Sequence, residues 1–362
     1  MLRKDAHSAQ RGMAAGAAAL RRECAPSAHF FRACPPENME ERGTYMSLLH
    51  TALENKKTAV VLGHMNPDGD CVGSCLAVYN YLKDCFPQVE VTVYLDQPAE
   101  KYAYLNGFYE IRTEMPENPE ADLCICLDSG DRDRLGDFLG FLDQAGESLC
   151  VDHHITNTGY GDKNVVDADA SSTCEVLYGL MEEEGISKET AECLYTGIIH
   201  DTGVFQYSNT SIKTMEIAGK LMAKGVDFST IISDSFYRKT YVQKQILGRA
   251  LLESILFCDG KCIFSVLRKK DMEFYGVTSK DMGGIVEQLR TTDGVECAIF
   301  LYEKTPQEFK VSLRSNKQVD VSRVASYFGG GGHVRAAGCT MNGSIHDVVN
   351  NLSKQIVKQL GE

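Results

Sequence analysis

The chain has 362 residues, of which 43% are hydrophobic, so it is long enough for two domains that each bury a core of their own. Its formal net charge of -13 and its pI near 5.2 exclude tight, unspecific binding to long nucleic acid, which requires clustered Lys and Arg. A small anionic ligand stays possible, because a local basic pocket is enough to bind it.

The first stretch, Met1 to Pro36, differs in composition from the rest of the chain. It contains six basic residues against two acidic ones, an alanine run and no sustained apolar period. Such a composition occurs in organelle transit peptides. We favour a different interpretation, in which residues 1–45 are a disordered leader or come from an over-extended gene start, because Met39 and Met46 both offer later starts. Removing the stretch's net +4 from -13 leaves -17 on the remainder.

From Thr58 the pattern predicts alternating strands and helices. The predicted strands are Thr58–Gly63, Val89–Leu95, Leu123–Leu127 and Ser148–Val151. The predicted helices run from Asp70 to about Asp84 and from Arg132 to Gln144. Apolar strands that alternate with helices indicate an α/β fold with a parallel sheet and helices on both faces. We place this domain at residues 46–238.

The second half of that domain is predicted to be mostly helical, and a smaller domain follows it. The predicted helices are Thr173–Glu184, Ser187–His200 and Ser211–Lys224. A helical linker is expected at 239–257, before a smaller α/β domain at 258–362. The smaller domain has predicted strands Lys261–Leu267, Val295–Tyr302 and Phe309–Leu313, predicted helices Ser279–Arg290 and His346–Leu360, and the glycine run Gly329–Gly332.

Fourteen cysteines are scattered through apolar segments, and none forms a CxxC pair. We interpret them as small core residues of a protein in a reducing cytoplasm, with a redox or zinc role as the alternative. No apolar run has the length that crossing a bilayer requires, so no membrane partner is expected.

The first group of polar residues is His64-Met-Asn-Pro-Asp68-Gly-Asp70, between a predicted strand and a predicted helix. This position is the usual ligand edge of an open α/β sheet. Pro67 and Gly69 set a tight turn that directs the two aspartates differently. A solvated acidic turn is the alternative interpretation.

Asp128 follows the apolar run Leu123–Leu127 directly. A carboxylate at the end of such a strand is either a helix cap or a ligand. Ser129 and Asp131 can cap the next helix instead, which leaves Asp128 available for another role.

Asp152, His153 and His154 follow the next predicted strand. Adjacent side chains on extended backbone point to opposite sides. One histidine is therefore expected to bind metal while the other faces the substrate. Asp152 is suited to orient an imidazole from behind.

Asp201 ends an apolar helical stretch, just before Thr202-Gly203. Buried aspartates are rare without a partner, so a ligand role competes with that of a residue in the last helical turn. His200 is expected to be a structural histidine with a satisfied hydrogen bond.

Together these positions bring Asp and His to three strand ends and one helix end in chain order. Oxygen and imidazole ligands without thiolates favour two divalent ions, Mn(II) first, with Mg(II) or Co(II) as alternatives. Two such ions about 4 Å apart can acidify a shared water and hold the attacking and leaving oxygens.

Four ligating carboxylates would only neutralise two divalent ions, so cations for a phosphate must come from elsewhere. In the smaller domain, Arg314 ends a strand and is suited to bidentate phosphate binding. Gly331, Gly332 and His333 bring bare amides beside an imidazole, although a flexible loop is the alternative for the glycine run.

These motifs, in this order, resemble those of the DHH phosphoesterases, and Gly329 to Gly338 resembles the glycine-rich motif of their DHHA1 domain. The similarity spans about Ser47 to the C-terminus and is greatest to the bacterial oligoribonuclease and pAp phosphatase branch. It implies one metal ion held by His64, Asp68 and Asp128, and a second held by Asp70, Asp128, His153 and Asp201. Asp128 would bridge the two ions.

The resemblance also implies roles around the metal ions. His154 and Asp128 would act in catalysis, with Asp152 supporting them, and Asn66 and His154 would contact the substrate. Arg314, Gly331, Gly332 and His333 would bind a phosphate or the nucleotide across a cleft between the domains.

The expected function is therefore two-metal hydrolysis of short RNA or of 3',5'-bisphosphate nucleotides, without long duplex partners and with a homodimer as one option. Hydrolysis of cyclic or linear di-adenylate messengers is the enzymatic alternative. RecJ-like exonuclease and family II pyrophosphatase activities fit less well, because the first would need a more basic track and the second would lack the glycine-rich domain. The non-enzyme alternative is a nucleotide-binding sensor, which predicts a missing ligand.

Overall fold

The structure is a computed structural model that describes residues 29–32 and 48–361, apart from the side chains of 29–32 and of His333. The chain divides into two compact units, Met1–Tyr237 and Arg238–Glu362. Most of the predicted leader lies outside the described residues.

The first unit contains a six-stranded sheet in which every neighbouring pair is parallel. Its strands are β1 (His29–Arg32), β2 (Thr58–Leu62), β3 (Glu90–Tyr94), β4 (Leu123–Leu127), β5 (Ser148–Asp152) and β6 (Lys163–Val166). Their order across the sheet is β1-β6-β5-β4-β2-β3. The parallel sheet that the sequence predicts is thereby confirmed.

The helices of the first unit pack on both faces of this sheet. They are α1 (48–53), α2 (Gly69–Cys85), α3 (Leu139–Gln144), α4 (Thr173–Leu180), α5 (Lys188–Asp201), α6 (Ile212–Ala223) and α7 (Phe228–Ile231). In β2, Val61 joins the core with α2 and α5, whereas Val60 and Leu62 join the core with Phe138 and Phe141 on the other side. Strands buried on both faces explain why the predicted strands read as continuous apolar runs.

Helices α2 and α5 approach each other closely at two glycines. A Cβ added at Gly73 would lie 2.6 Å from the carbonyl oxygen of Cys193 and 3.0 Å from the amide nitrogen of Gly197. Both helices lead to the candidate site, because α2 starts at its acidic loop and α5 ends at Asp201. Their close contact therefore fixes the position of two site segments.

Some predicted elements of the first unit differ in detail. The stretch 132–144 is a 3-10 helix followed by α3, and its backbone leaves the helical region at Gly136, where φ is +59°. The helix predicted at Thr173–Glu184 ends at Leu180. The sequence patterns do not predict strand β6. Strand β1, which consists of four residues of the predicted leader, pairs with β6 at the edge of the sheet.

The second unit contains a mixed sheet of six strands in the order β11-β12-β10-β9-β8-β7. The strands are β7 (Ile255–Phe257), β8 (Cys262–Leu267), β9 (Cys297–Thr305), β10 (Glu308–Ser315), β11 (Gly331–His333) and β12 (Ala336–Asn342). Only β8 and β9 pair in parallel. The helices are α8 (Tyr241–Leu252), α9 (Lys269–Tyr275), α10 (Ile285–Arg290), α11 (Val321–Tyr327) and α12 (Ile345–Leu360).

Three segments of the second unit depart from the predictions. The predicted helical linker contains α8, but its last three residues form strand β7. The helix predicted at Ser279–Arg290 is interrupted at Gly284, where φ is +93°. The end of the glycine run, for which no strand is predicted, forms strand β11 and not the flexible loop of the alternative interpretation.

All cysteines in the described part of the chain are free thiols, and all but Cys85 and Cys258 are buried. This burial agrees with their interpretation as core residues. Among the described residues, no helix combines the length and the apolar character needed to span a bilayer.

Candidate metal centre

The polar residues of the first unit meet where the sheet reverses its order. Strand β2 lies between β3 and β4, and β4 lies between β2 and β5, so their carboxyl ends share one edge. His64, Asp128 and His153 follow β2, β4 and β5 within two residues of each strand's end. Ligands of open α/β sheets bind at such a switch point.

His64 is buried, and its two ring nitrogens have different partners. Nδ1 lies 2.8 Å from the carbonyl oxygen of Met65. Nε2 lies 3.5 Å from Oδ2 of Asp128 and 3.8 Å from Oδ1 of Asp68. Burial lowers the pKa of His64, but the two carboxylates outweigh that effect and raise it to about 12. Nε2 is therefore the atom that can bind a cation in place of its proton.

Asp68 and Asp70 flank the start of α2 and face different ways. Asp68 caps the helix, because its Oδ1 accepts hydrogen bonds from the amides of Asp70 and Cys71. Asp70 is fully buried and accepts from the amides of Thr173 and Cys174, at 2.7 and 3.0 Å. Burial and the nearby Asp128 raise the pKa of Asp70 well above its usual range, so this carboxylate lacks a sufficient counter-charge among the described groups.

Asp128 lies at the centre of the site with a left-handed backbone, at φ +54°. Its Oδ2 faces His64, whereas its Oδ1 lies 3.6 Å from Nε2 of His153 and accepts from Oγ1 of Thr173 at 3.1 Å. The amide of Asp128 donates to the carbonyl of Val151, which ties it to the neighbouring strand. Two oxygens that face two histidines are what a bridging ligand requires.

His153 and Asp201 form an ion pair, with 3.1 Å between Nε2 and Oδ2. Burial lowers the pKa of His153, but Asp201 and the other carboxylates outweigh this effect and raise the pKa to about 10. Burial raises the pKa of Asp201 to about 6 despite this pairing. Ligand atoms of Asp70, His153 and Asp201 all lie within 4.8 Å of one another.

His154 is held from behind by Asp152. Its Nδ1 lies 2.7 Å from Oδ1 of Asp152, an atom that also accepts from the amide of His153. The other oxygen of Asp152 accepts from Nδ2 of Asn157 at 2.7 Å. Burial raises the pKa of Asp152, but the hydrogen bond from His154 and the charge of His154 outweigh this effect, so the pKa lies below its ordinary value.

Three contributors to the site were not predicted: Asn157, Thr173 and Cys71. Asn157 follows the Asp-His-His sequence by three residues and also donates to the carbonyl of Ser129. Thr173 starts α4, and only the fold shows that this helix start faces Asp70. Cys71 joins His64 and Asp128 in a group whose ligand atoms lie within 4.8 Å of one another.

Two other predicted residues lie near the site in the chain. Asn66 has φ +57°, and its backbone N–H donates to Oδ2 of Asp96. His200 has its Nε2 3.1 Å from Oγ of Ser235 and packs against the Tyr102 ring, as expected for a structural histidine.

In the second unit, Nε of Arg314 donates to Glu287, and its Nη1 donates to the carbonyl of Leu313. The strand register places Arg314 beside Ala336, and Ala336 beside His333. The sequence did not predict that a carboxylate would hold this guanidinium.

The two predicted glycines of β11 differ in their surroundings. A Cβ added at Gly331 would meet nothing within 4 Å. At Gly332 it would lie 2.5 Å from the carbonyl oxygen of Ala336, and φ there is +141°. Gly332 therefore allows close strand pairing, whereas the space beside Gly331 is open.

The donor set fits divalent ions. Carboxylate oxygens and imidazole nitrogens converge in three overlapping groups, one of which also includes the thiol of Cys71, and Asp128 or His153 belongs to each group. Buried carboxylates such as Asp70 and Asp128 need a compensating positive charge. Oxygen and nitrogen donors at such a density are typical of Mn(II) and related ions.

Comparisons with known proteins match both units of the chain. Residues 58–198 match the DHH family, N-terminal domain, and residues 259–362 match the DHHA1 domain. The bifunctional oligoribonuclease and PAP phosphatase NrnA of Bacillus subtilis is 27% identical, over 78% of this chain and 89% of its own. The probable enzyme of the same name from Streptococcus mutans is 29% identical, over 82% of this chain and 95% of its own.

Among solved structures, an exopolyphosphatase-related protein from Bacteroides fragilis superposes with a TM-score of 0.81 at 25% identity. The alignment covers 87% of this chain and 96% of that protein.

Proposed function

Because this chain belongs to the DHH phosphoesterases with a DHHA1 domain, and is therefore a hydrolase of phosphate ester bonds, we propose that it cleaves short oligoribonucleotides and 3',5'-bisphosphate nucleotides such as pAp. The names of its curated relatives support this substrate class. The structural observation that carries the proposal is Asp128, whose two oxygens face two histidines.

Six residues would hold two divalent ions in this proposal. They are His64, Asp68, Asp70, Asp128, His153 and Asp201. When bound, two such ions supply an acidified water and neutralise charge that develops on the phosphate. The protonated ring of His64 and the carboxyl groups of Asp70 and Asp201 would exchange their protons for these ions.

His154 would contact the phosphate that is cleaved. Its Nδ1 is occupied by Asp152, so its Nε2 is the atom left for a phosphate or leaving-group oxygen. Asp152, fixed in turn by Asn157, holds the ring in one tautomer and one orientation. The protein thus positions an imidazole that need not reorganise during the reaction.

The second unit would supply the positive charge that the loaded metal site lacks. Arg314 would bind a substrate phosphate, with Glu287 fixing the guanidinium through Nε. Gly331 and Gly332 would offer backbone amides, with His333 next in the chain, and Asn66 of the first unit would help to position the substrate. The cleft between the units, the homodimer and the cytoplasmic location stay predictions.

A substrate panel tests the proposal. The metal-free protein is loaded with Mn(II) and given pAp, diribonucleotides, linear and cyclic di-adenylate, longer single strands and pyrophosphate. We expect the fastest turnover with pAp or diribonucleotides and none after chelation. The control is Asp128→Asn, which keeps a residue that tolerates positive φ but removes the bridging charge. Fastest turnover of pyrophosphate, cyclic di-adenylate or long strands would contradict the proposal.

A further inference from the structure

Cys71 lies directly beneath the loop that carries His64. It occupies the first turn of α2 and is completely buried. Its Sγ lies 3.9 Å from the carbonyl oxygen of His64, and a Cβ added at Gly63 would collide with it. The thiol is therefore packed against the backbone that positions a proposed metal ligand.

Three different ligand atoms converge at this place. Those of His64, Cys71 and Asp128 all lie within 4.8 Å of one another, and all three residues are buried. Because Nδ1 of His64 is occupied by Met65, Nε2 is the nitrogen that faces Asp128. We call these three residues the thiol subset.

The neighbouring carboxylate is placed differently. Oδ1 of Asp68 caps α2 by accepting two backbone hydrogen bonds, and the side chain is 58% exposed. Cys71, in the first turn of the same helix, is buried on the side of His64 and Asp128. The metal ion nearest to His64 can thus meet sulfur as well as carboxylate.

We propose that Cys71 is a metal ligand, which makes the thiol subset a binding site for thiophilic divalent ions, Zn(II) in particular. One imidazole, one carboxylate and one thiolate are a donor set that tetrahedral Zn(II) accepts, whereas Mn(II) and Mg(II) prefer oxygen. The inference rests on the metal ligands assigned under the proposed function. It adds a ligand and a metal preference to them.

Binding through sulfur is chemically balanced without a redox partner. The ion replaces the thiol proton, which leaves to solvent, and no electron is transferred. The positive charge of the ion also offsets the cost of placing a thiolate among buried carboxylates. Zn(II) would therefore compete with Mn(II) at this subset.

Cobalt spectroscopy of the full-length protein tests the sulfur contact independently of turnover. Metal-free protein is titrated with Co(II), and the sulfur-to-cobalt charge-transfer absorption in the near ultraviolet is recorded. We expect the band in the wild type and its loss in Cys71→Ala. The matched control is Cys75→Ala, because Cys75 is equally buried one turn further along α2 and lies outside the thiol subset. A band that persists in Cys71→Ala, or Co(II) bound without a band, would overturn the proposal.

A measurement on the wild type avoids any dependence on variant folding. Zinc X-ray absorption of the Zn(II)-loaded protein should show a sulfur neighbour at about 2.3 Å. A shell of nitrogen and oxygen alone would overturn the proposal. In competition titrations, Cys71→Ala should lose at least about ten-fold more affinity for Zn(II) than for Mn(II). Losing a residue that only supports a metal ligand already costs about ten-fold in metal affinity, so losing a ligand should cost no less. Equal losses for both ions would overturn it.

The same preparations separate this inference from the proposed function. If Mn(II)-loaded wild type fails on pAp and diribonucleotides but shows the cobalt band, the substrate assignment fails and the sulfur ligand stands. If it cleaves them but shows neither the band nor a zinc–sulfur distance, the sulfur ligand fails alone.

Discussion

Nδ1 of His154 lies 2.7 Å from Oδ1 of Asp152, which makes Asp152 the partner of the ring of the second histidine and not of the ring of the first. The ring of His153 instead faces Asp201 and Asp128. The two neighbouring rings thus have different main partners, which agrees with the proposal that one binds metal and the other contacts the substrate.

Replacing Asp152 with Asn should slow turnover without removing the metal ions. The amide cannot hold His154 in the same protonation state, so we expect a loss of about 10- to 100-fold in kcat, the range for residues that orient active groups from behind. Metal content, measured by mass spectrometry, should match the wild type. The reference variant is Asp201→Asn, which should lose metal as well as turnover. Equal metal loss in both variants would contradict the assignment.

The contact between α2 and α5 should be sensitive to a single methyl group. Gly73→Ala places a Cβ against the carbonyl of Cys193, so we expect a loss of about 1 to 3 kcal/mol in the free energy of unfolding. Gly219→Ala is the control, because an added Cβ meets nothing there and α6 should gain about 0.5 to 1 kcal/mol. Urea unfolding of both variants measures the difference. If Gly73→Ala and Gly219→Ala change the free energy of unfolding equally, the contact between α2 and α5 is not closely packed.

The parallel sheet and its ligand edge were predictable from the sequence, because both depend on short-range patterns. Strands β2, β4 and β5 are apolar runs that end at His or Asp within two residues. Parallel strands share one carboxyl edge, so the polar residues had to meet once the strands were recognised.

The rest of the site depends on contacts that the sequence does not encode locally. The start of α4 lies about a hundred residues from Asp70 in the chain, yet its two backbone amides donate hydrogen bonds to that carboxylate. Strand β6 is only four residues long and includes a polar Asn164, so it gave no apolar signal. Strand β11 consists largely of glycine, which strands usually avoid. Strand β11 needs glycine at position 332, because a Cβ there would collide with the carbonyl oxygen of Ala336 in the neighbouring strand.

Removing the guanidinium of Arg314 should weaken substrate use and leave the metal ions in place. A hydrogen bond to a charged group contributes about 1.5 to 3 kcal/mol, so Arg314→Ala should lower kcat/KM by about 10- to 100-fold. Metal content should be unchanged, since Arg314 belongs to the second unit.

Two further variants separate binding from positioning in this prediction. Glu287→Gln should give a smaller loss, because the amide oxygen can still accept from Nε of Arg314 but lacks the negative charge that holds the guanidinium. Arg290→Ala is the matched control, since Arg290 binds the same Glu287 at 2.8 Å and has no proposed substrate contact. If Arg290→Ala lowers kcat/KM as much as Arg314→Ala, the loss reflects the fold of the second unit and not phosphate binding.

The ion pair between His153 and Asp201 should make the stability of the metal-free protein depend on pH. The folded pKa of His153 is about 10, above its ordinary value of 6.5. A histidine whose pKa is raised on folding contributes stability that is fully present below 6.5 and is lost as the pH rises to 10. His64, with a raised pKa of about 12, adds a decline of the same sign.

The variant His153→Gln isolates the contribution of this pair. Urea unfolding of both proteins in chelator should give a difference in free energy that is largest near pH 6.5, where Asp201 is still ionised, and shrinks toward pH 10. Ionisation of unfolded thiols changes both proteins equally and cancels in the difference. Loading with Mn(II) should abolish the dependence, because a metal ion requires neutral His153. A difference that stays constant from pH 6 to pH 10 would show that the proton on His153 does not stabilise the metal-free fold.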